Sequence, residues 1–158
     1  MCSSDLKKAR LYFDTSVFGG VHDDEFKQET ELLFEMVKNN EIICVYSDLC
    51  ELELENAPEK IKKHFFSLNE IQTEFVEITE EINSLAEQYI IENVVGKTSI
   101  DDCRHIACAT INKVDYLVSW NFKHIVNIFR IRGYNSVNIK NGYTSLDIRS
   151  PKDIIENE

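Results

Sequence analysis

The sequence predicts an α/β fold built on a mostly parallel sheet, and three observations carry that prediction. Leu11-Tyr12-Phe13, the residues 42–46 (IICVY) and Tyr116-Leu117-Val118 are short runs of β-formers that stay apolar throughout, as strands buried on both faces do. Stretches with apolar residues at helical spacing separate them, and strands alternating with helices imply a parallel sheet with right-handed crossovers. The first run stops on Asp14, followed by Thr15, Ser16 and Gly19-Gly20. That is the end of a strand, where open α/β sheets hold their ligands.

Residues 22–25 (HDDE) read as a polar loop. A helix over 26–38 follows, with Phe26, Thr30, Leu33, Phe34 and Val37 on one face, and Asn39-Asn40 ends it. After the second strand, Ser47 is a good N-cap for a helix over about 48–56. At 100° per residue, Leu49, Cys50, Leu52, Leu54 and Ala57 share a broad arc of that helix. Glu51 and Glu55 lie opposite, whereas Glu53 falls near the middle of the arc. A further helical turn is expected over 57–66 after Pro58, and FVEI within 74–79 reads as a short strand. A helix from about 80 carries Ile82, Leu85, Ala86, Tyr89 and Ile90, and residues 93–97 form the loop that ends it. Ser99 with Asp102 matches a capping box, so another helix starts there. On that helix Asp102 borders the arc of Ile100, Cys103, Ile106, Ala107 and Ala109, while Asp101, Arg104 and His105 fall on the polar side. Beyond the strand at 116–118, a helix through about 132 is closed by Gly133. A last strand is expected over 136–139, a turn at Asn141-Gly142, and a short helical tail from Ser150-Pro151.

With 158 residues, 43% hydrophobic and 28% charged, the chain reads as one domain over 1–158. Its core spans about 10–140 and a short tail covers 141–158. No apolar run approaches the ~20 residues of a membrane span, and no signal-like apolar segment precedes the first strand, so a cytoplasmic location is expected. Cys2, Cys44, Cys50, Cys103 and Cys108 form no CxxC pair. They are expected to be reduced packing residues rather than zinc ligands. The net charge of −11 argues against a broad electrostatic grip on nucleic acid. The charge is uneven, however: 8 Lys/Arg face 21 Asp/Glu up to residue 95, and 9 face 7 after it. Any polyanion would meet the C-terminal third first.

Taken singly, each acid has a plain explanation. Asp14 can serve as a cap or turn residue, Glu53 can sit in a salt bridge or beside a shifted helix boundary, and Asp102 can cap a helix. Together they fall at equivalent places, after strands or opening helices, and right-handed winding brings them to one edge of the sheet. Asn121 follows a further strand at the same edge. Clustered carboxylates cannot all stay ionised without a cation. Hard oxygen ligands suit Mg2+ or Mn2+, ions that polarise a phosphoryl oxygen and activate water. Alternative acidic sites fit less well. A phosphoaspartyl hydrolase wants an Asp where Ser16 stands, an integrin-type site is broken by Phe18, and no Gly-Lys-Ser/Thr follows Gly19-Gly20.

Four motifs stand in order: LYFDTS at 11–16, Ser47 six residues before Glu53, Asp102 followed by His105-Ile106-Ala107 and Ala109, and LVSWNFKH at 117–124. This order resembles the PIN domain, whose members include VapC-type toxin ribonucleases, and the resemblance covers about residues 10–140. It implies a PIN-like, Rossmann-like three-layer α/β/α sandwich and metal-dependent hydrolysis of RNA. It implies Asp14, Glu53 and Asp102 as ligands of Mg2+ or Mn2+, with Asn121 as a fourth catalytic residue. Thr15, Ser16, Ser119 and His124 are auxiliary candidates. The partners it implies are an RNA substrate, an antitoxin protein and a second copy in a homodimer. One position departs from the pattern: His124 stands where the family usually carries a fourth acid, and Asp101 is a stand-in that its place on the polar side of the helix disfavours. The competing expectation is a degraded PIN module that binds RNA or a protein without cleaving.

Overall fold

The computed structural model describes residues 8–68 and 72–156. Its strands are β1 (Ala9–Phe13), β2 (Ile42–Ser47), β3 (Thr73–Val76), β4 (Tyr116–Val118) and β5 (Ile148–Arg149). Its α-helices are α1 (Thr15–Gly19), α2 (Lys27–Lys38), α3 (Asp48–Leu54), α4 (Glu59–Phe66), α5 (Glu80–Ile91), α6 (Ile100–Ile111), α7 (Ile128–Lys140) and α8 (Pro151–Glu156). No helix among the described residues is long and apolar enough to cross a membrane.

The strands pair in the order β3-β2-β1-β4-β5, all parallel. From β1 the chain winds outward through β2 and β3, then returns to β1's other side to add β4 and β5. The carboxyl ends of β1 and β4 therefore flank the point where winding reverses, the place where such sheets open a crevice. Alternation along the strands divides the core between two faces. Leu11, Phe13, Cys44 and Val118 pack with Val17, Phe18, Leu33, Phe34 and Phe65 of α1, α2 and α4. Tyr12, Val45 and Leu117 pack with Ile82, Leu85, Ile106 and Tyr134 of α5, α6 and α7. Both faces of the sheet are covered, which is why its strands read as unbroken apolar runs, and the architecture is the three-layer sandwich expected. Cys44, Cys50, Cys103 and Cys108 are free and buried. Cys2 lies outside the described residues.

Several expectations at the C-terminal end need correction. No strand forms over 136–139: α7 runs on through Gly133 to Lys140. The buried residues Tyr134, Val137 and Asn138 recur at helical spacing, and that packing outweighs the β-preference of Val137 and Ile139. Gly133 is no terminator. A Cβ there would come 2.7 Å from Val94 Cγ1, so the missing side chain is what lets α7 lie against the loop after α5. The fifth strand is instead Ile148–Arg149, and Leu146 and Ile148 join the core from the stretch read as a tail. The helix after β4 also starts later than expected, at Ile128. There Asn127 accepts from the N–H groups of Phe129 and Arg130.

Near the first strand, Gly19-Gly20 is part of a helical stretch. Gly20 has an ordinary φ of −62°. Space is the reason for it: an added Cβ would fall 2.5 Å from Thr30 Oγ1 and 2.8 Å from Trp120 Nε1, which are hydrogen-bonded to each other. The apolar arc of α3 is narrower than its sequence implied. Leu52 is 59% exposed, while Leu49, Cys50 and Leu54 are buried.

Candidate active site

Asp14 is the first residue past β1 and stands at the start of α1 in extended conformation. Its backbone N–H still belongs to the sheet, donating to Val118 O of β4 at 3.2 Å. The carboxylate is 5% exposed. Ser16 donates to Oδ1 at 2.6 Å and Ser119 to Oδ2 at 2.9 Å. Two strand ends thus place one acid and two hydroxyls together. Burial raises the Asp14 pKa and the charge of Asp102 raises it further, against His105 and the two serine hydrogen bonds, which lower it. The net direction is upward.

Ser47 closes β2 and caps α3, accepting from Cys50 N, as its sequence position led us to expect. Six residues on, Glu53 does not enter the apolar core; its side chain is 31% exposed. Oε1 accepts from Thr15 Oγ1 at 2.5 Å and pairs with His105 Nε2 at 2.8 Å. Burial pushes the Glu53 pKa up, but the hydrogen bond and charge of His105, with the bond from Thr15, outweigh it and leave it below the ordinary value.

Asp102 is in the first turn of α6, where the helix dipole favours an ionised carboxylate. The expected capping box does not form: the Ser99 side chain makes no capping bond, and a 3-10 turn over Lys97–Ser99 leads into the helix instead. Burial raises the Asp102 pKa. His105 and His124 oppose the rise, while the charges of Glu53 and Asp101 add to it. Asp102 therefore senses the charge of Glu53, His105 and His124, and Asp14 that of Asp102 and His105, and the three acids share one edge of the sheet. Asp101, on the same turn, is paired with Arg104 Nη1 at 2.6 Å.

Asn121 and His124 lie in the loop after β4. Asn121 Oδ1 accepts from the backbone N–H groups of Lys123 and His124 at 3.2 and 2.9 Å, so this oxygen shapes the turn. Tyr134 donates to the His124 carbonyl at 2.7 Å, and His124 Nδ1 is buried with no hydrogen-bond partner.

The residue that helix periodicity misplaced is His105. Assigned to the polar side of its helix, it is only 2% exposed. Tyr12 OH pairs with its Nδ1 and with Ser47 Oγ, both at 2.7 Å. Burial pulls the His105 pKa down, yet the nearby Cys50, the hydrogen bond to Glu53 and the charge of Asp14 hold it well above the ordinary value. A signal was present in its spacing: three residues after Asp102, it is one turn further along the same face.

Asp14, Glu53 and Asp102 are carboxylates from three separate elements with no thiol among them, the donor type that a hard divalent cation takes. Two of them, Asp14 and Asp102, are held above their ordinary pKa by burial and mutual charge, the condition a bound cation would relieve. The spacing is looser than a closed site: among the described residues, no three His, Cys, Asp or Glu side chains form a group that could hold one metal ion.

No family model and no curated protein matches the chain. Solved structures do. VapBC2 from Rickettsia felis, bound to a DNA fragment from its promoter, superposes with a TM-score of 0.54 at 12% identity, over 89% of this chain and 98% of that one. VapC20 of Mycobacterium tuberculosis, a Sarcin-Ricin loop cleaving toxin, gives 0.55 at 10% identity, over 87% and 98%. DNA-bound VapBC from Salmonella typhimurium gives 0.54 at 11% identity, over 90% and 98%. With a parallel 3-2-1-4-5 sheet, both faces covered by helices and this likeness along most of its length, the chain has the PIN-domain fold in its VapC-like form.

Proposed function

We propose that the protein is a Mg2+- or Mn2+-dependent endoribonuclease in which Asp14, Glu53 and Asp102 hold the ion. The observation that carries this reading is that three partly or fully buried carboxylates lie along one edge of the sheet, two of them with raised pKa and, among the described residues, none of the three paired with a lysine or arginine. When bound, the ion would supply positive charge to a phosphoryl oxygen and acidity to a water. The chain's own residues do the rest. Ser16 and Ser119 fix both oxygens of Asp14, Thr15 and His105 fix Oε1 of Glu53, and Asn121 holds the loop that brings His124 near Asp102. His124, whose charge acts on Asp102, is the proposed contact for a substrate phosphate.

The proposed substrate is RNA, in line with the ribonucleolytic neighbour. The proposed partner is an antitoxin, in line with neighbours solved as VapBC or toxin-antitoxin complexes. Cleavage of a structured and a single-stranded RNA in Mn2+ tests the activity, comparing the native chain with Asp14→Asn. Several kcal/mol of transition-state stabilisation rest on the cation, so the variant should lose about 100-fold or more. Equal rates would remove the mechanism. The loose spacing of the acids favours a second reading, a PIN-like module that binds RNA or protein without cleaving. Calorimetry with Mn2+ separates the two, and no heat at millimolar concentration selects the second.

A further inference from the structure

The residue that stands out beyond the acids is His105, buried between three elements that each carry part of the site. Its Nδ1 faces the hydroxyl of Tyr12 on β1 at 2.7 Å, and its Nε2 faces Oε1 of Glu53 on α3 at 2.8 Å. The same Tyr12 hydroxyl reaches Ser47 Oγ at 2.7 Å, the residue that caps the helix bearing Glu53. Both Tyr12 and Ser47 are fully buried. His105 itself belongs to α6, one turn after Asp102. A continuous chain of hydrogen bonds therefore ties the second acid's helix to the third acid's helix through the strand that delivers the first.

We infer that His105 is a positioning residue which, backed by Tyr12, holds Glu53 by Oε1 and leaves Oε2 as the oxygen that would be free to bind a cation. The reasons are geometric. Both ring nitrogens are engaged, which fixes the orientation of the imidazole. Oε1 is engaged twice, by His105 and by Thr15 Oγ1, whereas no bond joins Oε2 to another described residue. A glutamate has three side-chain torsions to order, and two donors converging on one oxygen order all of them before any ligand arrives. A buried histidine that merely filled space would need a partner for each nitrogen, but it would not need one of them to be the exposed-edge carboxylate of a neighbouring helix.

The inference rests on the metal-binding reading above, and the experiment separates the two. Mn2+ affinity is measured by calorimetry for the native chain, His105→Leu, His105→Gln and Tyr12→Phe, together with thermal melting and, with RNA, kcat and KM. Leucine keeps the volume and removes the bond to Glu53. Glutamine can place its Nε2–H where His105 Nε2 was. His105→Leu should bind Mn2+ about 10–100-fold more weakly, the usual effect of removing a group that orients a ligand. His105→Gln should recover most of that affinity, and the milder Tyr12→Phe should fall between the native chain and His105→Leu. The loss should appear in kcat with KM for RNA nearly unchanged. A folded His105→Leu that binds Mn2+ as tightly as the native chain, or more tightly, overturns the positioning role and leaves the metal site standing. Where His105→Leu does not fold, Tyr12→Phe with native affinity overturns it equally. A native chain that takes up no Mn2+ overturns both readings together.

Discussion

The two ends of strand β1 treat charge in opposite ways. At the amino end, Arg10 is met from every side: Nε and Nη2 grip Glu74 at 2.8 and 2.6 Å, Nη1 reaches Asn112 O at 2.9 Å, and its backbone N–H donates to Asp115 at 2.7 Å. This bidentate pair raises the Arg10 pKa, the mark of a cation with its counter-charge in place. Four residues later, at the carboxyl end, Asp14 is more deeply buried and has only hydroxyls as direct partners. Its pKa moves away from the ionised form, and so does that of Asp102. A structural charge is compensated within the fold. A charge left short of compensation, in a crevice where the sheet reverses its winding, is the one the proposed function assigns to a cation.

The largest effect that would sharpen this contrast is on catalysis. Asp102→Asn should cost about 100-fold or more in RNA cleavage, whereas Glu74→Gln at the other end should leave the rate within a factor of two. Comparable losses at both ends would break the distinction.

The next effect is on stability, and its sign depends on pH. Asp14 and Asp102 have folded-state pKa values raised from 3.8, so folding favours their protonated forms. In the metal-free protein their contribution is best below that value and is lost as pH rises through the raised values. Glu53 runs the other way: its pKa is lowered from 4.5, and its contribution is present above that value and lost as pH falls. Mn2+ should therefore stabilise most at neutral pH, by about 2.7 kcal/mol at a hundredfold excess over its dissociation constant, and far less near pH 4. Scanning calorimetry at the two pH values checks this, and a shift independent of pH would contradict the assignment of the acids.

The smallest effect is a pair of opposite signs. Asp14→Asn should raise the metal-free melting temperature, since it removes a buried charge while its neighbours keep their hydroxyl partners. Arg10→Met should lower it, by about 1 kcal/mol for a pair this exposed, or about 2–4 °C. Both changes falling in the same direction would show that the two ends of β1 do not differ as described.

Much of this was legible from residue order. Unbroken apolar runs reported a sheet covered on both faces, and the places of three acids after strands or opening helices reported that they would share one edge of it. Ser47 reported the start of α3. The misreadings share one cause, that the deciding contact comes from far along the chain. His105 looked solvent-facing on its own helix because Tyr12 and Glu53, which bury it, arrive from β1 and α3. Gly133 looked like a terminator because the Val94 side chain that needs its space is in another loop. The two-residue strand at Ile148 has no periodicity to read, and pairing with β4 alone defines it.

By itself, then, the sequence determined the α/β class, the parallel character of the sheet and the edge of it on which the acids lie, because apolar pattern and strand-end position are local properties. Only the tertiary structure decided which charges are neutralised and which are left exposed to one another. Compensation is a property of pairs, and the partners of Asp14, Glu53 and Arg10 lie between 38 and 105 residues away in all but the Ser16 contact.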